Sequence, residues 1–536
     1  MMRAEASAAA RTSTRIAVPR RMEGHAEPGP GSHLWPRWIF LRALGLIFFS
    51  AFYSLAFQIH GLIGERGILP ADDYLREVAR VIPGALRFYS APTLLWFSAS
   101  DRALTLVIAA GIVASLLLVA NILPRVAVAA CTILFLTCIG ALQDFASYQS
   151  DGMLLEAGFI SIFFAPRGLR PGLGAAHPPS RASRFLLQWE WFRIYFESGV
   201  VKLASGDVHW RNLTAMDNYY ENGPLPAWPG WYVQQLPHWY HASTAALTLV
   251  VELIIVWALF LPRRWRLACF AIVTALQIGI IATANYAFLN YLVLLLGVLL
   301  LDDAVIARVL PRRWRGRSEP VAADGVREPS AAVPNGATSA WARARAWAAP
   351  AVLGIVFIAT LAPLFATLGL TPLTLPARAL APFRVANEYG LFANMTEARY
   401  EIEFQGTRDG REWRTYRFRY KPQDPLERPG IYAPYQPRFE WNLWFASLGP
   451  WRSSPWVVLA QARLLENNPG VLALFRENPF PEGPPAAVRT VLWQYRFTDR
   501  RTRRATGAWW RRKELGSYAG TVSRRADGGF SLSSEP

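Results

Sequence analysis

Apolar stretches close to the ~20 residues needed to cross a bilayer recur along the chain up to about residue 370 and then cease. Segments of this kind fall at 38–59, 103–122, 125–142, 153–165, 185–201, 245–261, 267–283, 286–301 and 348–369. The segment 153–165 is short for a span, and 185–201 carries Glu190, Arg193 and Glu197, so a re-entrant path stays open for either. Beyond about Leu375 the period changes to two. Tyr400, Ile402 and Phe404 alternate with Glu401, Glu403 and Gln405, and after a turn at Gly406 to Arg411, Tyr416, Phe418 and Tyr420 alternate with Arg417 and Arg419. That pattern predicts a hairpin with one buried face. Val491, Trp493, Tyr495 and Phe497 predict a further strand, and Pro455 to Asn467 an amphipathic helix. The expectation is a polytopic α-helical membrane protein of about nine transmembrane helices with a C-terminal β-rich α+β soluble domain.

The expected organisation is a cytoplasmic tail over 1–37, a multi-pass membrane domain over 38–310, a disordered cytoplasmic linker over 311–346 and a last transmembrane helix at 347–370. A soluble domain over 375–520 and a disordered tail over 521–536 follow. The first 37 residues have no apolar stretch close behind their arginines, so no cleavable signal is read there and the first span serves as anchor.

Charge sharpens this picture. Only 18% of the 536 residues are charged, against roughly a quarter in soluble proteins, and the net charge is +18. Much of that excess lies in short arginine clusters beside apolar segments: Arg125, Arg167 to Arg184, Arg263 to Arg266 and Arg308 to Arg317. With nine crossings these all share one side with the N-terminal tail, which the positive-inside rule makes cytoplasmic. The opposite loops 143–152, 202–243 and 284–286 are nearly free of arginine, whereas 60–102 holds five arginines against five acids. An odd number of crossings places the C-terminal domain across the membrane, in a periplasm or an endoplasmic reticulum lumen. No basic stripe is interleaved with stacking aromatics, which argues against nucleic acid and leaves the bilayer as the first partner. All three cysteines lie inside apolar runs, so the exported domain has no disulfide.

Charged groups inside spans are costly and need a partner or a task. Glu190, Arg193 and Glu197 share one helix face, where Arg193 can bridge both carboxylates. This is either a structural ion network or a polar site reaching the outer face, shared with Glu156 and the outer-loop residues Asp144, Tyr148, Gln149 and Asp151. Lys202 closes the same segment, followed by Asp207, His209, Trp210 and Arg211 in the next outer loop. It either snorkels to the headgroups or, desolvated beside carboxylates, acts as a base with Asp207, Glu156 or Arg193 positioning the substrate. The aromatic loop from Trp210 to Trp239 reads as an interfacial belt or as a docking surface. His238 and His241 share a helical spacing but have no cysteine or carboxylate near them in sequence. No phosphate loop, nucleophile elbow or zinc spacing appears, so no metal or cofactor is expected.

Several runs also carry a resemblance. YQSDGMLLEAGFISIFFAP (Tyr148 to Pro166), WFRIYFESGVVKLASGDVHWRNLTAMDNYY (Trp191 to Tyr220), Pro224-Leu225-Pro226 and Pro262-Arg263-Arg264 resemble the membrane portion of lipase maturation factors. NEYGLFANM (Asn387 to Met395), RYEIEFQGTRD (Arg399 to Asp409), FRYKP (Phe418 to Pro422), Gln436-Pro437-Arg438, WNLWFA (Trp441 to Ala446), Asn478-Pro479-Phe480 and Trp509-Trp510-Arg511 resemble that family's C-terminal domain, in order. The family usually has a histidine before Gln-Pro-Arg, where Tyr435 stands here. The resemblance implies a multi-pass factor that in animals sits in the endoplasmic reticulum membrane and helps secreted lipases mature. The client would be an exported protein facing the C-terminal domain, with Tyr389, Gln436, Arg438, Trp441 and Trp444 as the client-facing residues. The Ala, Arg and Trp bias favours a bacterial source, for which the membrane would be the inner one. A more distant similarity links FESGVVKLASGDVHW (Phe196 to Trp210) to the segment of vitamin K-dependent carboxylases that bears their catalytic lysine, with Lys202 at that position. It implies, as the alternative, a membrane enzyme. A transporter would call for two corresponding halves, and no clear internal repeat is present.

Overall fold

The computed structural model describes residues 32–146, 148–311, 340–368, 370, 374–525 and 527–533. The expected linker over 311–346 and the expected N-terminal tail lie almost wholly outside the described residues. The principal helices of the N-terminal part are α1 (Leu34–Ala56), α2 (Asp101–Val119), α3 (Pro124–Ile139), α4 (Gln149–Phe164) and α5 (Arg181–Ala204). Then come α6 (His238–Leu253, prolonged by a 3-10 turn Ile255–Phe260), α7 (Arg263–Thr283), α8 (Leu289–Gly297) and α9 (Ala340–Thr367).

Among the described residues, five stretches are long and apolar enough to cross a membrane: Leu34–Ala56, Asp101–Val119, His238–Phe260, Arg263–Thr283 and Trp347–Ala366. Four of the nine expected spans do not meet this criterion. α3, α4 and α8 are too short for it, and α5, although 24 residues long, carries Glu190, Arg193, Glu197 and Lys202. Both segments for which a re-entrant path was open are continuous helices.

Helix ends follow local chemistry. The α1 N-terminus is capped from far along the chain by Asp303, whose carboxylate accepts from the Leu34 (3.1 Å) and Trp35 (2.8 Å) N–H groups. Ser100 and Ser180 cap α2 and α5, and Pro124 opens α3, where its missing N–H costs nothing. α1 and α2 approach closely because Gly111 offers no side chain where the Phe52 ring lies; an added Cβ would stand 2.4 Å from it. The arginine-bearing connections gather at one end of the bundle. Arg37 donates to the carbonyls of Leu173 (2.8 Å), Gly174 (2.9 Å) and His177 (2.5 Å), Arg125 to that of Ala165 (2.8 Å), and Arg263 pairs with Asp302.

The C-terminal domain covers the other end. Its antiparallel sheet has the order β2-β1-β3-β4-β5, with β1 Arg399–Thr407, β2 Arg414–Thr415, β3 Ala487–Phe497, β4 Trp510–Arg524 and β5 Phe530–Leu532. β1 and β3 pair without interruption from Arg399 opposite Tyr495 to Thr407 opposite Ala487. Helices α10 (Arg438–Ala446) and α11 (Trp456–Leu465) pack on the sheet around Phe404, Phe418, Phe439 and Phe475, whose rings meet at 5.2–6.4 Å. The helix expected over 455–467 and the strand at 491–497 are present. The hairpin differs from expectation in two ways. Its return strand ends at Thr415, with Tyr416 and Phe418 buried as irregular chain, and β1 is buried on both faces. The charged face tolerates burial because Glu401 pairs with Arg399 and with Lys421 (2.5 Å), while Glu403 approaches Arg512 (3.5 Å). β4 and β5 also carry the sheet past residue 520, into the expected tail.

Candidate functional site

The chemistry concentrates where the bundle meets the C-terminal domain. Irregular backbone placed against membrane helices must find partners for its N–H and C=O groups, because no water is there to supply them. The segment 387–395 finds them along one face of α5 and the loop after it. The Arg193 guanidinium donates to the Asn387 carbonyl (2.7 Å), and Glu197 accepts the Tyr389 N–H (2.8 Å). Ser198 accepts the Leu391 N–H (3.1 Å), and Lys202 donates to the Leu391 carbonyl (2.9 Å). Further out, Trp210 donates to the Phe392 carbonyl (2.9 Å), Ser205 to that of Ala393 (2.9 Å), and Asp207 accepts the Met395 N–H (2.5 Å). The polar positions of α5 form a ladder for a strap of backbone.

Glu156 of α4 is the hub beneath the strap. It pairs with Arg193 and accepts from the Asn387 side-chain amide (3.1 Å), the Asn387 N–H (3.2 Å) and the Tyr389 hydroxyl (2.9 Å). Glu197 lies 3.9 Å from Arg193. The expected bridge from Arg193 to Glu190 is not formed: the guanidinium is taken by Glu156, contributed by a different helix, and both Glu190 oxygens are buried without a hydrogen-bond partner among the described residues.

A second lock joins Asp151 to Arg438. The two guanidinium nitrogens reach the two carboxylate oxygens at 2.7 Å each, one also donates to the Phe145 carbonyl (2.9 Å), and both side chains are fully buried. The Tyr148 hydroxyl donates to the Arg438 carbonyl (3.1 Å), and the Tyr148 ring lies 5.3 Å from the guanidinium. Burial pulls the Arg438 guanidinium down, but Asp151 more than offsets this and leaves it above its ordinary value. Next in the domain, Glu440 accepts the N–H groups of Arg419 (2.9 Å), Tyr420 (2.9 Å) and Lys421 (2.6 Å). Burial pushes its carboxyl up to about 7, with those three N–H groups and Lys421 pulling the other way.

The third element is Lys202. It does not snorkel: it is buried, donates to both Glu252 oxygens (2.9 Å each) and stands 5.1 Å from the Trp210 ring. With the Leu391 carbonyl, all three ammonium hydrogens have acceptors. The set Lys202, Asp207, Glu156 and Arg193 is thus not assembled as one catalytic group, since each of the last three is bonded elsewhere along the strap.

Of the outer-loop residues, Tyr148 and Asp151 are buried against Arg438, exposed Gln149 accepts the Gly390 N–H (3.1 Å), and Asp144 is exposed. His209 contacts Thr214 (3.0 Å) and Glu397 (3.4 Å), and exposed Arg211 donates to the Leu203 carbonyl (3.0 Å). The residues assigned to face a client need correction. Tyr389, Gln436, Arg438 and Trp441 are buried in the seam between domain and bundle, and of the five only Trp444 keeps partial exposure. Exposure follows tertiary packing, which aromatic and charged residue types do not reveal. The aromatic loop divides likewise: Trp210, Tyr219, Tyr220 and Trp231 are buried, with Trp231 against Trp509 at 5.6 Å, while Tyr232 and Trp239 are exposed. His238 pairs with Asp217 (3.0 Å) and His241 is buried apart from it; among the described residues no cluster of His, Cys, Asp and Glu is arranged to hold a metal.

Sequence reasoning missed Glu252, Gln58, Asn285 and Arg399. Glu252 had a signal, a lone acid inside an apolar span. Gln58 donates to the Gln436 carbonyl (3.0 Å) and to Tyr435 (3.3 Å), the residue standing in the histidine position. Asn285 accepts the Tyr432 N–H (2.8 Å), and Arg399 donates to the carbonyls of Glu221 and Pro224 (3.0 Å each). Nothing in the local sequence marks Gln58 and Asn285, and Arg399 stood out only as the first residue of the RYEIEFQGTRD run.

The fold and the seam define a class: a polytopic helical membrane protein whose one extramembrane α+β domain is keyed into the bundle by buried ion pairs and a backbone strap. Two family descriptions match it, "Lipase maturation factor transmembrane domain" over residues 35–308 and "Lipase maturation factor C-terminal domain" over 385–520. The chain belongs to the lipase maturation factor family. It is 31% identical to lipase maturation factor 1 of Bos taurus, covering 94% of each chain. It is 31% identical to lipase maturation factor 2 of Gallus gallus, covering 91% of this chain and 81% of that one, and 29% identical to lipase maturation factor 1 of Homo sapiens, covering 93% of each. No solved structure matches it.

Proposed function

We propose that this chain is a membrane-bound maturation factor that assists the folding or assembly of exported proteins, with lipases as the first class of client to test. The observation that carries the reading is end-to-end similarity to relatives named for lipase maturation, across the membrane bundle and the domain keyed into it. In this reading α1 to α9 all cross the membrane, α3, α4, α5 and α8 included, because successive helices alternate between the arginine-rich end and the end covered by the domain. The arginine-rich end faces the cytoplasm by the positive-inside rule, and the domain faces the periplasm or the endoplasmic reticulum lumen, where exported clients fold. Client contact falls to what the seam leaves uncovered: Trp444, Phe445 and Leu448 at the end of α10, the latter two about 44% and 43% exposed.

Pull-down of the tagged full-length chain from mild detergent should recover an exported lipase, and a deletion strain should export that lipase with reduced specific activity. Unchanged lipase activity together with no recovered partner would overturn the reading. An enzymatic reporter fused after Pro536 that works only in the cytosol would overturn the topology by itself.

A further inference from the structure

A cavity of about 520 Å³ lies inside the bundle, beneath the strap. Its walls are Ile194, Val251, Leu276 and Val293 from four different helices, and its roof is Leu391 and Phe392 of the strap. The size falls in the ~300–1,000 Å³ range of small-ligand sites. Leu247 on α6 and Ile272 on α7 line the cavity and are yet 48% and 41% exposed, so the mouth lies between two membrane-crossing helices. Gly279 stands at that mouth, and a side chain built on it would meet no atom within 4 Å. What enters this way comes from the hydrocarbon phase of the bilayer.

The polar groups inside decide the kind of molecule. Lys202 and Glu252 neutralise each other, and the ammonium has no hydrogen left to offer. On the opposite wall Asn290 donates to Gln277 (2.7 Å), which donates to the Tyr195 hydroxyl (2.7 Å), leaving the Tyr195 O–H and the Asn290 oxygen as neutral donor and acceptor. A charged headgroup brought here would find no uncompensated countercharge and would lose its hydration. A hydroxyl or ester carbonyl would find partners, while its apolar chain restored the dispersion contacts that the empty volume lacks. We infer that this cavity binds one uncharged, hydroxyl- or ester-headed bilayer lipid, entering sideways between α6 and α7 beneath the strap. This site is independent of the maturation reading and stands or falls without it.

The test uses the full-length chain in nanodiscs carrying a trace of diacylglycerol with a diazirine in its acyl chain. Parallel arms carry a diazirine-bearing polyprenol or a diazirine-bearing phosphatidylglycerol. After irradiation, mass spectrometry should find label on the cavity-facing peptides around Leu276 and Val293 from a neutral probe. Which neutral arm labels identifies the lipid source. Gly279→Trp, which closes the mouth, should abolish that label, and Gly279→Ala should keep it. Ala275→Trp, on the same opening, supplies a second block should the first variant fail to fold. Label that persists in a folded mouth-blocked variant, equal labelling by phosphatidylglycerol, or no neutral label at these peptides would each overturn the inference.

Discussion

The Asp151–Arg438 pair allows a quantitative test of how the domain is held. Both side chains are fully buried, the two terminal guanidinium nitrogens each meet one carboxylate oxygen at 2.7 Å, and one of them also serves the Phe145 carbonyl. Asp151→Asn keeps the shape but leaves a buried guanidinium without countercharge, which costs about 3–5 kcal/mol. Since about 1.4 kcal/mol is tenfold in an equilibrium constant, the population in which α10 is undocked should rise by roughly a hundredfold to several thousandfold. Hydrogen exchange of the full-length protein in detergent reads this directly: the α10 amides should exchange faster by that factor, while amides at the arginine-rich end of the bundle, around Arg125 in α3 and Arg266 in α7, should be unchanged. Arg438→Met combined with Asp151→Leu removes both charges and should recover most of the protection, because a well-packed apolar pair can replace a buried ion pair. Unaltered α10 exchange in Asp151→Asn, or a double variant no better than the single, would refute the claim that this pair governs docking.

Asn387 donates from one amide to Gly152, Glu156 and Arg384, so Asn387→Asp sets a carboxylate against three acceptors. It should lower stability by ~3 kcal/mol or more, seen as a falling melting temperature and protease cleavage within 385–395. Lys202→Met should cost about 3–5 kcal/mol by stranding Glu252, and Lys202→Met with Glu252→Leu should regain most of it. If the double variant is stable yet inactive in client maturation, Lys202 does more than pair. Glu440 holds its proton to about pH 7 in the folded chain but only to about 4.5, the ordinary value, when unfolded. Its contribution is therefore full below about pH 4.5 and is lost as pH rises through about 7, so the melting temperature should fall across that window and the fall should flatten in Glu440→Gln. Gly111→Leu should separate α1 from α2 by driving a side chain into the Phe52 ring, a loss of about 1–3 kcal/mol visible as lower folded yield.

That an apolar helical part precedes a part built on a sheet was legible in the sequence, because bilayer thickness and backbone hydrogen bonding act locally: a run of about twenty apolar residues suits a span, and an alternating pattern makes a strand. The strap motif at Asn387 to Met395 and the charged face of α5 were visible as well, since intramembrane charge is costly enough to stand out in any apolar run. What was not legible is who pairs with whom. Arg193 chose Glu156 on another helix over Glu190 on its own, Lys202 chose Glu252 fifty positions away, and Arg438 turned inward to Asp151. Pairing depends on which helix faces pack together, and that follows from the summed fit of many apolar contacts such as Phe52 on Gly111. For the same reason the sequence could nominate Tyr389, Arg438 and Trp441 as important, whereas only the tertiary structure could decide that they hold the molecule together from within.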